Sequence, residues 1–149
     1  DLVGRKFLRD GGAAMAGLLS EIRGVAATLD GSEYADIGMA LARGVDALEQ
    51  AGEWLKSNLD GAGENAGAAA YNFLMLAGTV TGGWQLAVAA AAALRRLAAG
   101  GGNCDFLRAK LITARFYAEQ ILPRAQTHRD AVMAGSRTMM ALDEAHFGL

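Results

Sequence analysis

The chain contains 149 residues, 52% of them hydrophobic and 20% charged, with a formal net charge of −2. This length corresponds to one domain with a sizeable core, and the balanced charge argues against nucleic acid or an anionic membrane surface as a partner. The single cysteine, Cys104, excludes an internal disulfide and is typical of a protein in the reducing cytoplasm, where we expect this one.

Three short clusters of Gly with Asp, Asn or Ser interrupt the chain, at residues 30–32, 60–63 and 100–103. Each combines glycine, which commonly ends helices, with a polar residue able to cap the next helix. No segment between the clusters has the alternating, β-branched pattern of a strand. The sequence therefore predicts four helical segments and no strands.

The first two segments repeat apolar residues at alternating steps of four and three. A sustained 3.5-residue repeat keeps one seam of a helix facing its partners, so such helices cross at shallow angles. We therefore expect both segments to be amphipathic bundle helices. Their main seam positions are Leu8, Met15, Leu19, Ile22 and Leu29, then Ile37, Leu41, Leu48 and Leu55.

The third segment carries no charged residue between Glu64 and Arg95, which is long enough to span a bilayer. Its polar residues, its Gly82-Gly83 pair and its alanine-rich second half are atypical of a lipid-facing helix. We therefore predict no membrane span, and instead the central and most buried helix of the domain.

The fourth segment keeps the apolar repeat longest, from Leu107 and Leu111 to Met139 and Leu142. Pro123 interrupts it and predicts a kink, because proline has no backbone N–H to donate. Short connections make successive helices antiparallel. We therefore predict an all-α fold, a single domain over residues 1–149 built as an up-down-up-down four-helix bundle with long helices.

Few residues are candidates for chemistry. Residues 61–66 fit a loose dinucleotide-binding fingerprint, but a helix precedes them where a strand is required, so we interpret them as a flexible connector. His128 lies on the fourth seam with no second ligand nearby, and we interpret it as structural. Cys104 has no neighbouring base in the sequence. His146 belongs to a tail, residues 143–149, that we expect to fray. We therefore assign no catalytic, cofactor-binding or metal-binding residue.

Three stretches resemble one family. Residues 1–6 resemble the end of a signature helix of bacterial FAD-dependent acyl-CoA dehydrogenases, and residues 71–84 resemble the central helix of a C-terminal extension in that family. Residues 106–123, with the run from Ala114 to Glu119 followed by Leu122-Pro123, resemble its last helix. The order of the three stretches is more specific than any one of them. The resemblance identifies the chain as a C-terminal helical extension domain of such an enzyme.

In this family, a Glu removes the α proton of an acyl-CoA thioester and FAD accepts the β hydride. The loop that holds this Glu would precede Asp1, so the resemblance implies that the chain is a fragment of a longer enzyme. It transfers no catalytic or FAD-contacting residue to this chain. We therefore expect FAD to be a cofactor of the parent enzyme, with none in this chain, and the rest of the dehydrogenase chain to be a partner.

Two functions remain open: a non-catalytic structural or interface domain of a dehydrogenase, or a free-standing helical adaptor that binds a partner helix or a small apolar ligand. Four apolar residues lie outside the seams, namely Tyr34, Trp54, Tyr117 and Phe147. We expect some of them to form an exposed apolar patch and to support a two-fold homodimer.

Overall fold

The computed structural model describes residue 3 and residues 12–59 and 63–148. The helices are α1 (Ala13–Ala27), α2 (Ala35–Asn58), α3 (Glu64–Ala98), α4 (Cys104–Gln120) and α5 (Arg124–Met133), followed by a short 3-10 helix (Glu144–Phe147). None of the described residues forms a strand. The prediction of an all-α helical bundle is confirmed.

The helices are arranged around a central pair. α2 and α3 pack against each other, α1 packs on both from one side, and α4 and α5 pack on both from the other. The apolar seams meet between them: Leu19 and Ile22 of α1, Leu41 of α2 and Leu111 of α4 are all buried. Leu8 of the first predicted seam lies outside the described residues. The regular spacing of four and three thus identified the core correctly within the described helices. The last members of the fourth predicted seam are an exception, because Met139 and Leu142 follow the end of α5 and are 64% and 59% exposed.

The fourth predicted helix is two helices. Pro123 was expected to kink it, but the structure has a complete break between α4 and α5. The backbone N–H groups of Ile121 and Leu122 both donate to the Tyr117 carbonyl, at 3.0 and 2.9 Å, and Arg124 N–H then donates to the Ile121 carbonyl. The break arises because proline cannot continue the helical hydrogen bonds and its ring clashes with the preceding turn. It turns Leu122 into the core, where it is 3% exposed.

The prediction that α3 is the most buried helix is wrong. α2 buries eleven of its 24 residues, whereas α3 buries ten of its 35. Phe73, Leu76 and Val80 of α3 are fully buried, but Tyr71 on the other side of the helix is 67% exposed. The absence of charge does not by itself indicate burial, because α3 is longer than its neighbours and has one side that they do not cover. By length and composition α3 is also the one described helix capable of crossing a membrane.

The predicted connectors behave as helix ends where they are described. Asn103 caps α4, since its side-chain oxygen accepts a hydrogen bond from Phe106 N–H at 3.1 Å. Gly100 ends α3 in the left-handed conformation, with φ of 67°, which glycine adopts without steric cost. Residues 60–62 of the second connector lie outside the described residues.

Candidate functional site

Side chains from α4 and from the α4–α5 break pack directly against the Gly82-Gly83 pair of α3. A Cβ atom on Gly82 would lie 2.5 Å from the Tyr117 hydroxyl, and one on Gly83 would lie 2.9 Å from Leu122 Cδ2. Gly44 of α2 faces the same Leu122 atom, which a Cβ there would approach to 3.2 Å. The inward-turned leucine therefore fits a notch formed by one glycine from each central helix.

Tyr117 adds a hydrogen bond to this contact. Its hydroxyl donates to the backbone carbonyl of Thr79 in α3 at 3.1 Å. Burial raises the pKa of Tyr117, because the phenolate would lose solvation there. The hydroxyl therefore stays protonated at neutral pH, and its hydrogen bond links α4 to α3.

Arg115 ties α4 to the beginning of α2. Its Nε and Nη2 donate to the two carboxylate oxygens of Asp36, at 2.8 and 3.1 Å, and Nη2 also donates to the Glu33 carbonyl. The guanidinium carbon lies 4.4 Å from the centre of the Tyr34 ring, a cation–π geometry. The hydrogen bond from Arg115 lowers the pKa of Asp36 and, reciprocally, raises the pKa of Arg115. Both side chains are partly exposed, so the pair contributes modestly to stability.

The residues flagged from the sequence have structural partners or lie at the surface. His128 of α5 is half-buried, with Nδ1 3.0 Å from the Asn72 side-chain oxygen of α3. Cys104 is exposed at the first residue of α4. His146 Nδ1 lies 2.7 Å from an Asp143 carboxylate oxygen in the exposed 3-10 turn. Within the described part of the chain, no three His, Cys, Asp or Glu side chains are grouped closely enough to hold a metal ion.

Asn65 has a role that the sequence did not indicate. Its side-chain nitrogen donates to the Asn58 carbonyl at 2.9 Å, and its side-chain oxygen accepts from Ser136 N–H at 2.9 Å. One amide thus joins the end of α2, the start of α3 and the turn after α5. This residue belongs to the 61–66 fingerprint, and its contacts support reading the described part of that stretch as a connector.

Several concave regions occur on the described surface, and two of them illustrate their range. A cleft of about 190 Å³ lies at the α4–α5 break, between Ala40, Arg43 and Pro123. This is below the roughly 300–1,000 Å³ of typical small-molecule sites. A wider depression of about 530 Å³ lies beside Trp54 and is open to solvent, with Glu49 and Glu53 at its edge. Neither region brings together groups arranged for catalysis.

The expected apolar patch is made of other residues than predicted. Tyr34, Trp54 and Tyr117 are half-buried and pack against the core, so the prediction is wrong for these three, while Phe147 is 66% exposed. Tyr34 is covered by Arg115, and Tyr117 lies on Gly82. Their positions outside the seams did not indicate exposure, because large aromatic side chains reach over the edge of a seam.

The exposed apolar residues lie instead mainly on α3 and α4 and in the tail. We define the outer face of α3 as its exposed residues Tyr71, Leu74, Met75, Gly78, Gln85 and Val88. On α4, Phe106, Ile112 and Phe116 are each more than half exposed, and Lys110 Nζ lies 5.1 Å from the centre of the Phe106 ring. The signal was present in the sequence, since the outer-face residues recur at helical spacing opposite Phe73, Leu76 and Val80.

The comparisons with known proteins agree on one family. A family model described as "Acetyl-CoA dehydrogenase C-terminal like" matches residues 18–143. The chain is 40% identical over 135 residues to 3-methylmercaptopropionyl-CoA dehydrogenase of Ruegeria pomeroyi, which covers 82% of this chain and 21% of that protein. It is 29% identical over 165 residues to broad-specificity linear acyl-CoA dehydrogenase FadE5 of Mycobacterium tuberculosis, covering 99% of this chain and 26% of that protein. The chain thus spans about a quarter or less of these relatives, and it belongs to the family of acyl-CoA dehydrogenase C-terminal-like domains.

Proposed function

We propose that this chain is a non-catalytic packing domain of a cytoplasmic, FAD-dependent acyl-CoA dehydrogenase. In this proposal the rest of the enzyme binds FAD and carries out the α,β-oxidation of an acyl-CoA thioester. The match to the C-terminal part of two acyl-CoA dehydrogenases supports the parent activity. The partners of the domain are the rest of the dehydrogenase chain and a second subunit.

The observation that carries the proposal is how the chain uses its polar side chains. Arg115 joins α4 to α2, the Tyr117 hydroxyl joins α4 to α3, and His128 joins α5 to α3. These three side chains, which could otherwise act as an anion ligand, an acid or a base, are thus engaged in holding helices together. The surface left available on α3 is uncharged and apolar, which suits contact with another protein surface.

We propose no FAD site on the described helices. The cleft at the α4–α5 break holds about 190 Å³, which is small for an isoalloxazine ring with its adenosine and pyrophosphate. The glycine-containing connector before α3 follows a helix, and the side-chain amide of Asn65, in the first turn of α3, is engaged by Asn58 and Ser136. We therefore assign no flavin contact to these residues.

The first test uses the 149-residue chain alone. We expect the purified protein to lack flavin absorbance and to reduce no dye when supplied with acyl-CoA thioesters, because no acid, base or flavin site is assembled from its described residues. A yellow protein, or dye reduction that depends on acyl-CoA, would contradict the proposal.

The second test uses the full-length enzyme that contains this domain. His128→Gln and Cys104→Ser should leave its turnover number nearly unchanged, because we assign neither side chain to the reaction. Removal of a general acid or base slows an enzyme by about 100-fold or more. A loss of that size in either variant, with normal FAD content, would show that the domain takes part in catalysis.

A further inference from the structure

We propose that the outer face of α3 binds the same face of a second copy of this chain, antiparallel, about a two-fold axis that passes midway between Gly78 and Gln85 on that face. This inference rests on the proposed function, because it names the partner of the surface that the packing domain leaves uncovered. It is argued from the charge, shape and exposure of α3.

The first argument is the charge distribution along α3. Residues 65–94 carry no charge, a stretch of about 45 Å at 1.5 Å per residue. Two identical surfaces can only meet without repulsion if their charges are absent or complementary under the two-fold operation. The outer face of α3 meets the first condition over nearly its whole length.

The second argument is the charge at the two ends. Glu64 lies at the start of α3, and Arg95 and Arg96 lie in its last turn. An antiparallel pair places Glu64 of each copy about one helical turn from these arginines of the other copy. A parallel pair would instead place arginines against arginines. Among the described residues, Glu64, Arg95 and Arg96 form no ion pair within the chain.

The third argument is shape. The large side chains Tyr71, Leu74 and Met75 lie in the first half of the outer face, with exposures of 67%, 57% and 39%. The second half holds small residues, including Ala89 and Ala92, which are half-buried. A two-fold axis midway between Gly78 and Gln85 places the large half of each copy against the small half of the other.

The pairs that this axis creates are specific. Tyr71 of one copy meets Ala92 of the other, Leu74 meets Ala89, and Met75 meets Val88. Near the axis, Gly78 meets Gln85 of the partner. Beyond the neighbouring backbone of α3 itself, a Cβ on Gly78 would meet no heavy atom within 4 Å, so the space over this glycine is open to a partner side chain.

The contacts that α3 makes on its other side favour a protein partner over a lipid membrane. α3 is long and apolar enough to cross a membrane, but it packs against α1, α2, α4 and α5 in the structure. Insertion as a span would require it to leave these contacts. Dimerisation through the outer face requires no such rearrangement. Lipid association is therefore the alternative outcome that the experiments must distinguish.

The decisive measurement is the oligomeric state of the 149-residue chain by sedimentation or light scattering. We expect the wild type to be a dimer and Met75→Glu to weaken dimerisation by at least about 30-fold, the effect of losing an interface hot spot. The matched control is Met39→Glu on α2, because Met39 is also an exposed methionine, at 54%. It should leave the dimer intact, and circular dichroism should be unchanged in both variants.

Cross-linking tests the geometry independently. In a Cys104→Ser background, Thr81→Cys should cross-link to itself, since position 81 lies beside the axis, whereas Ser57→Cys on α2 should not. A mixture of Tyr71→Cys and Ala92→Cys proteins should cross-link, while either protein alone should not.

Several results would overturn the proposal: a monomeric wild type at high concentration, a dimer that Met75→Glu leaves intact, or self-cross-linking of Tyr71→Cys, which would indicate parallel pairing. A monomer that binds lipid vesicles would also overturn it and would assign the face to a membrane. These results are independent of the flavin and dye assays. The dimer proposal can therefore be contradicted while the non-catalytic role stands, and the non-catalytic role can be contradicted while the dimer stands.

Discussion

The two central helices of this bundle are held by different kinds of interaction. α2 presents charged residues to solvent, such as Arg43, Asp46 and Glu53, and ion pairs join it to its neighbours. α3 has no charge between its ends and is joined to α4 and α5 by close packing and uncharged hydrogen bonds. Two helices with equally buried seams can thus differ in how salt, pH and small changes of side-chain volume affect them.

This comparison predicts that the buried seams of α2 and α3 contribute equally to the free energy of unfolding. Leu41→Ala in α2 and Leu76→Ala in α3 should each lower the free energy of unfolding by about 2–5 kcal/mol, because each leaves a cavity in the core. Both leucines are fully buried. Urea denaturation measures the effect, with Met39→Ala at an exposed position of α2 as a control that should change it by about 0.5 kcal/mol or less. A Leu76→Ala effect no larger than the control would mean that α3 is not a core helix.

A change of volume should distinguish the helices. Gly83→Val should lower the free energy of unfolding by about 1–3 kcal/mol, because its side chain would overlap Leu122. Gly44→Val should have a smaller effect, since its Cβ would lie 3.2 Å from the leucine where that of Gly83 would lie 2.9 Å away. Thermal and urea unfolding of both variants checks the order.

A second substitution tests whether contact with Leu122 causes the destabilisation by Gly83→Val. Combining Gly83→Val with Leu122→Ala should give a coupling of about 0.5–3 kcal/mol relative to the sum of the single effects, as expected for residues in contact. Gly24→Ala, where a Cβ would meet no other heavy atom within 4 Å, should be neutral or stabilising. Simple additivity of the double variant would show that the glycine notch is not the reason for the loss.

Removing the α3 hydrogen bond should have an intermediate effect. Tyr117→Phe should lower the free energy of unfolding by about 0.5–1.5 kcal/mol, largely independent of salt, because the bond joins uncharged groups. Burial raises the pKa of Tyr117 in the folded state, so this contribution is complete below the unfolded pKa of about 10 and is lost as pH rises through the folded value. Unfolding at neutral and alkaline pH, in low and high salt, tests both statements.

Removing the α2 ion pair should have the smallest effect and the strongest dependence on conditions. Arg115→Met should cost about 0.5 kcal/mol at neutral pH and less in high salt, because the pair is partly exposed. Arg115 lowers the folded-state pKa of Asp36, so its contribution is present above the unfolded pKa of about 4 and is lost as pH falls through the folded value. The difference between wild type and variant should therefore shrink in acid; a constant difference from pH 7 to 3 would contradict the pairing.

The sequence predicted the core far better than the surface. Seam residues such as Leu41 and Leu111 were recognisable because burial imposes a period on the chain, and the period can be read without coordinates. The end of α3 at Gly100 and the cap at Asn103 were recognisable because each follows from one residue's conformational preference.

The candidate site was harder, because it depends on contacts between distant segments. Asn65 and Ser136 are far apart in the chain, and nothing in either local sequence indicates that they meet. Tyr34 and Tyr117 were expected at the surface because they lie off the seams, but Arg115 and Gly82 cover them from other helices. The exposure of Tyr71 was missed for the opposite reason, since an uncharged helix was taken to be a buried one.

The notch that holds Leu122 also limits how this domain can diverge. Gly44 comes from α2, Gly83 from α3 and Leu122 from the break between α4 and α5, yet the three share one small space. A larger residue at position 83 is tolerable only if position 122 becomes smaller, and a smaller residue at 122 leaves an empty space unless one of the glycines is replaced. These three positions should therefore change together among related domains, keeping their combined volume nearly constant while the residues around them vary.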